Sequence, residues 1–246
     1  MFNYETSFPI AVASHDDEAL RTAIGWCAAH REDGDRVTVW TRQKQNLGHN
    51  RILSRFVDGY RDVDHVTARG GSYVRGSGPV LMAWPDPADI GEFLTWNHNK
   101  VRALCVIAWD ADTIRPWVTQ VKPAILGDNS LWDHLSPALD PVVEEALRSL
   151  TMTVNHNNTI SAGYEKDQVV GSFLALHDAG YRLEGDLLSG WAVANGWSGN
   201  NARRLQDYAE RIEGGARPRT RNSKGPKVVD YYRKKAAERA AGELVD

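Results

Sequence analysis

Leu104-Cys105-Val106-Ile107-Ala108-Trp109 is an unbroken apolar run with no polar alternation. Such a run describes a strand buried on both faces, as in sheets covered by helices on each side. Working outward, Val80-Leu81-Met82-Ala83-Trp84 reads the same way, and Pro9 to Ala13 and Arg36 to Thr41 have strand composition. His65 to Ala68 is a shorter candidate strand. Between these runs the spacing turns helical. Leu20, Ala23, Ile24 and Cys27 share one face over Asp16 to His30, and Ile52, Leu53, Phe56 and Val57 do so over His49 to Tyr60. Pro87 to Asn97 reads as a helix, and Ile114 to Leu126 as one interrupted at Pro116 and Pro123. Strands separated by helices predict an α/β fold: a mostly parallel sheet flanked by helices, over residues 1–128. Right-handed crossovers bring the strand C-terminal ends to one edge, where such sheets bind ligands.

Beyond Gly127 the pattern becomes all-helical, which defines a second domain at 129–215. Pro141 to Leu150 and Lys166 to Ala179 are its first helices, separated by the turn-rich Thr151 to Ser161. From 216 to 246 the chain reads as a basic tail, partly disordered or helical. Its Pro/Arg segment is expected not to pack, and Val228 to Ala241 to form an exposed basic helix. The net charge of −3 hides an asymmetry: residues 216–240 hold nine Lys/Arg and two acids, net +7, against −10 elsewhere. A basic tail on an acidic body suits a polyanionic partner or a solvated terminus.

Residues 187–205, LLSGWAVANGWSGNNARRL, read as helix, glycine turn, helix. Ala192 permits close helix approach, Gly196 can take a positive φ, and Ala202 and Leu205 point inward from one face. This spacing resembles the helix-turn-helix DNA-binding superfamily, over about residues 187–212 only. The resemblance implies DNA as partner, with the second helix in the major groove. Ser198, Asn200, Asn201, Arg203 and Arg204 would then lie at the groove-facing end, where Asn and Arg pair with base edges. Arg211, Arg217, Arg219 and Arg221 would add phosphate contacts. The alternative is a helical bundle that caps the α/β domain.

Acidic residues follow three of the apolar strands: Asp16 and Asp17 (after His15), Asp86 and Asp89, and Asp110 and Asp112. Brought to one sheet edge they could hold Mg²⁺; alternatively they cap the helices that follow. Val106 to Asp112 resembles the strand and DxD of Toprim domains, which implies Mg²⁺-dependent phosphodiester chemistry. That family's glutamate after the first strand is replaced by Ala13 and Ser14, with Glu18 the nearest acid. The opening Pro9-Ile10-Ala11-Val12-Ala13, Glu18-Ala19-Leu20 and Arg36 to Trp40 resemble the first strand–helix–strand unit of universal stress proteins. Their glycine-rich nucleotide loop has no counterpart in spacing at Gly70 to Gly78, a stretch read as a lid or a surface connection. No GxGxxG or GxxxxGK[ST] occurs, so nucleotide binding is permitted but not signalled; the absence of GxSxG argues against an α/β-hydrolase, and the histidines, without HxxxH or HExxH spacing, predict no zinc site. Trp26, Trp40, Trp84 and Trp109 read as core filler.

Cys27 and Cys105 sit in apolar stretches and read as reduced core thiols. With no signal peptide and no apolar run longer than Ala103 to Trp109, the expectation is a cytoplasmic protein without a membrane span. The functional expectation is a DNA-binding protein, regulatory or DNA-organising. Its α/β domain would sense a small-molecule or nucleotide ligand or self-associate, as in a homodimer. The alternatives are a Mg²⁺-dependent enzyme of nucleic-acid or nucleotide metabolism and a non-catalytic assembly factor. No catalytic residue or cofactor is assigned.

Overall fold

The apolar strands assemble as their composition requires. In the computed structural model, which describes residues 8–70, 73–128, 130–132, 138–154 and 159–243, six parallel strands form one sheet. They are β1 (Ile10–Ala13), β2 (Val37–Thr41), β3 (Val63–Thr67), β4 (Gly78–Ala83), β5 (Val101–Ile107) and β6 (Ala124–Leu126), in the order β3-β2-β4-β5-β1-β6. All five pairings are parallel, with Val12 opposite Val106 and Trp40 opposite Met82. Every residue of β1, β2 and β4 is buried, which is why these runs lack polar alternation.

The pleat divides the core in two. Ala11, Ala13, Val39, Leu81, Cys105 and Ile107 pack with Leu20, Ala23 and Cys27 of α1 (Asp17–Ala29) and Leu53 of α3 (Arg51–Gly59). The alternate residues Val12, Trp40, Val80, Met82, Leu104 and Val106 point the other way. Right-handed crossovers place α4 (Pro87–Asn97) and α5 (Ala111–Val121) on that side. A short α2 (Lys44–Gly48) precedes α3. Helix starts are set locally: Asp16, Asn50, Asp86 and Asp110 each accept a backbone N–H from the first turn of the helix that follows.

Two sequence expectations are corrected here. Helix α5 begins three residues before Ile114 and runs through Pro116, ending where Lys122 turns left-handed (φ 51°). Ala124–Leu126, expected to continue that helix, instead forms β6 on the edge beside β1.

The chain divides into two units, one of residues 1–136 with 193–199 and one of 137–192 with 200–246. The second is helical: α6 (Pro141–Thr153), α7 (Gly163–Asp178), α8 (Gly185–Ala194), α9 (Gly199–Glu213) and α10 (Pro226–Glu243), with the ends of α8 and α9 nearest the turn counted in the first unit. Within it, Trp191 is buried and its Nε1 donates to Glu144 (3.1 Å). Ile160 is fully buried; its N–H is held by Asn201 Oδ1 (3.1 Å) and its carbonyl by Tyr208 Oη (3.0 Å).

The basic segment is folded rather than loose. Arg217 makes two hydrogen bonds to Asp178 (2.8 and 2.6 Å), and Thr220 Oγ1 donates to the Asp167 carbonyl (3.1 Å). The Asn222 carbonyl crosses α7 so closely that a Cβ on Gly171 would lie 2.1 Å from it. Helix α10 then packs on α6 and α7 through buried Val229, Tyr232 and Ala236, and Arg239 pairs with the buried Glu145. Among the described residues no helix is long and apolar enough to cross a membrane.

Candidate ligand crevice at the sheet edge

Strand order determines where the sheet can open. From β1 the chain leaves through α1 toward β2, whereas from its neighbour β5 it leaves through α5 toward β6. The two connections cover opposite faces, so they diverge at the strand C-terminal ends and leave a crevice. The same reversal occurs between β2 and β4. There the gap is bridged by Arg42, which pairs with Asp86 (2.5 Å) and Asp89 after β4. Burial, and next the adjacent Asp86, raise the Asp89 pKa, while Arg42 opposes the shift.

At β1 and β5 the gap stays open as a cavity of about 380 Å³. Ser14 and His15 line it from the end of β1, Trp109 and Asp110 from the end of β5. Arg115 of α5 lines it as well, with Leu131 and Trp132 from the turn after β6. His15 stacks on Trp109 with ring centroids 4.9 Å apart, and Trp84 meets Trp109 edge-on at 6.0 Å. The Trp109 indole is nonetheless 66% exposed. Trp84 holds a positive φ of 59°, a strained backbone for a bulky residue and one that tends to mark functional sites.

Three donors in this region lack acceptors among the described residues: Trp84 Nε1, Trp132 Nε1, on a residue only 2% exposed, and Arg115 Nε. Buried N–H groups without partners are rare, because each forfeits its hydration for nothing in return. The rest of the Arg115 guanidinium is committed, pairing with Asp112 and donating to the Leu131 carbonyl (3.2 Å).

The carboxylates are occupied with the backbone. Asp110 Oδ1 accepts the Asp112 N–H (3.1 Å) and its Oδ2 the Thr113 hydroxyl (3.3 Å). Asp16 accepts from Glu18 and Ala19 (3.0 Å each) and from Ser14 Oγ, which lowers its pKa. Asp86 and Asp89 cap α4 reciprocally. Among the described residues no three His, Cys, Asp or Glu side chains gather as metal ligands. The capping alternative thus accounts for Asp16, Asp86 and Asp110. Of the tryptophans read as core filler only Trp40 is fully buried; Trp109 is a wall of the crevice. Cys27 and Cys105 are buried free thiols, and Cys105 together with burial pushes the Cys27 pKa well up.

The nucleic-acid candidates are divided. Gly196 takes a φ of +82° between α8 and α9, and Ala192, Ala202 and Leu205 are fully buried, as their spacing requires. Arg203, Arg204 and Arg211 are exposed on α9, and Asn200 is exposed at its start. Asn201, expected at the groove-facing end, is instead 3% exposed because its side chain holds the Ile160 backbone. Ser198 is half-buried just ahead of α9. The turn residues 193–199 lie against α4: a Cβ on Gly199 would be 1.8 Å from the Ala88 carbonyl oxygen, and one on Gly91 3.1 Å from Trp197 O. Arg217 is tied to Asp178, whereas Arg219 and Arg221 are exposed.

No curated protein and no solved structure matches the chain. A family model described as a domain of unknown function (DUF1889) matches residues 139–235, from just before α6 into α10.

Proposed function

We propose that this chain is a small-molecule-binding protein whose ligand occupies the crevice between the ends of β1 and β5. The observation that carries this reading is Trp132, a lining residue of the 380 Å³ cavity that is nearly fully buried and whose Nε1–H has no acceptor among the described residues. A polar group so placed is best explained by an acceptor on a bound molecule, and the volume is in the range of small-molecule sites.

A thermal-shift panel of nucleosides, nucleotides, amino acids, sugars and dicarboxylates on the full chain tests it. A ligand at about 100 times its Kd adds about 2.7 kcal/mol, which raises Tm by roughly 5–10 °C in a protein of this size. The rise should vanish in Trp109→Ala. A panel that leaves Tm unmoved at millimolar concentrations sinks the proposal.

A second reading, DNA binding by the helical unit, is favoured by one observation. Arg204, Arg211, Arg219, Arg221 and Lys227 are exposed and form no ion pair among the described residues. Its test is retention of duplex DNA by the full chain at low salt, and loss of it in an Arg203→Ala/Arg204→Ala variant. Equal affinity of variant and parent at all salt concentrations would remove α9 as the reading helix.

A further inference from the structure

We infer that the crevice takes a neutral nucleoside rather than a nucleotide, an inference that rests on the ligand-binding reading above. The walls set the class of molecule. Trp109, braced by His15 and edge-on Trp84, offers an exposed indole as a platform. The spacing of His15 and Trp109 is that of a closed stacked pair, with no room for a third ring between them. The ligand ring would therefore lie on the remaining indole surface. Trp132 and Arg115, both lining residues, each carry a buried N–H without an acceptor among the described residues, which a ring nitrogen or carbonyl oxygen of a base reaching it would satisfy. Asp110 and Asp112 also line the cavity, and their carboxylates can accept from ribose hydroxyls or an exocyclic amine.

The same carboxylates exclude a phosphate. Helix α5 begins at the crevice, but the Asp110 carboxylate caps it and already takes the Asp112 N–H, placing negative charge where an anion would sit. Asp112 is paired with Arg115, the only Lys or Arg lining the cavity among the described residues, and so offsets its positive charge. Asp16 adds negative charge next to the lining residues Ser14 and His15. A phosphate dianion on this acidic rim would meet like charges at short range.

Titrations of the full chain with adenosine and with AMP, followed by tryptophan fluorescence and calorimetry, decide the point. Adenosine should saturate, and AMP should bind at least about tenfold more weakly at low ionic strength, the gap shrinking as salt screens the rim. Trp132→Phe keeps the ring and removes the N–H. It should weaken adenosine by about tenfold, one hydrogen bond's worth, while leaving Tm without ligand within a few degrees. Asp112→Asn should narrow the adenosine/AMP ratio. AMP binding as tightly as adenosine, or adenosine failing to saturate, overturns the assignment. If another class binds in a Trp109- and Trp132-dependent manner, the crevice stands and only the nucleoside falls. If nothing binds, both fall.

Discussion

Lys224 shows how one side chain can mark a buried contact. It is half-buried, its Nζ donates to Ser172 Oγ (2.8 Å), and that hydroxyl meets Tyr232 Oη at 3.2 Å. Burial lowers its pKa. The folded protein therefore binds fewer protons at this amine than the unfolded chain does. Its contribution to stability rises with pH between the lowered value and the ordinary one. Tyr232, whose phenol burial pushes up, acts in the opposite direction only above about pH 10. Comparing urea unfolding of the parent with Lys224→Met from about pH 8 to 10 isolates the amine. The parent should gain stability relative to the variant over that interval. A difference that stays constant across it would mean that the amine ionises as freely in the fold as in water. The sequence could not distinguish Lys224 from its basic neighbours, because only the crossing of residues 220–224 over α7 buries it. Asn201 was misjudged for the same reason: its partner, the Ile160 backbone, is distant in the chain. Trp109 is exposed rather than core because β5 ends at Ile107, two residues earlier, which an apolar neighbourhood does not reveal.

Elements were the most legible level. The runs around Val80 to Trp84 and Leu104 to Trp109 became central strands, and Asp16, Asp86 and Asp110 cap helices because short acids precede helical spacing. Strand β6 was missed because three residues between Pro123 and Gly127 carry too little pattern to separate from a helix. Strand order was illegible as well, and with it the crevice, since the order depends on long-range pairing. The contact of the α8–α9 turn with α4 makes a prediction at this scale. Gly199→Ala would place a Cβ 1.8 Å from the Ala88 carbonyl oxygen and 2.9 Å from Glu92 N, backbone atoms that no rotamer change can move. It should destabilise the protein by about 3 kcal/mol, a Tm loss of roughly 6–12 °C. Gly25→Ala in α1 is the control, because nothing lies within 4 Å of its Cβ position. There the helix should gain about 0.5–1 kcal/mol. If Gly199→Ala melts with the parent, the turn does not rest on α4.

At the scale of the whole chain, the charge split is the feature that points to a polyanion, and the fold reduces what it can deliver. Of the basic residues in 216–240, Arg217 is bound to Asp178 and Lys224 to Ser172; Arg233 is bound to Asp230 and Tyr181, Lys235 to Glu238 and Arg239 to Glu145. On α9 the exposed Arg203, Arg204 and Arg211 alternate with exposed Asp207, Glu210 and Glu213. These acids would face any phosphate that approaches. Each phosphate neutralised releases counterions and steepens the fall of affinity with salt by about 0.9 in the logarithmic slope. If the unpaired Arg204, Arg211, Arg219, Arg221 and Lys227 supplied the contacts, the slope for duplex DNA would be about −4 to −5. If all nine tail cations were free to bind, it would approach about −8. Filter binding of the full chain between low and moderate salt separates these values. A slope near the shallower figure, reduced by about one unit in Arg221→Ala, fits DNA held by the unpaired cations of a folded helical unit. The steeper slope would mean that the internal ion pairs open to bind DNA. A slope near zero would leave the crevice of the α/β unit as the chain's binding function.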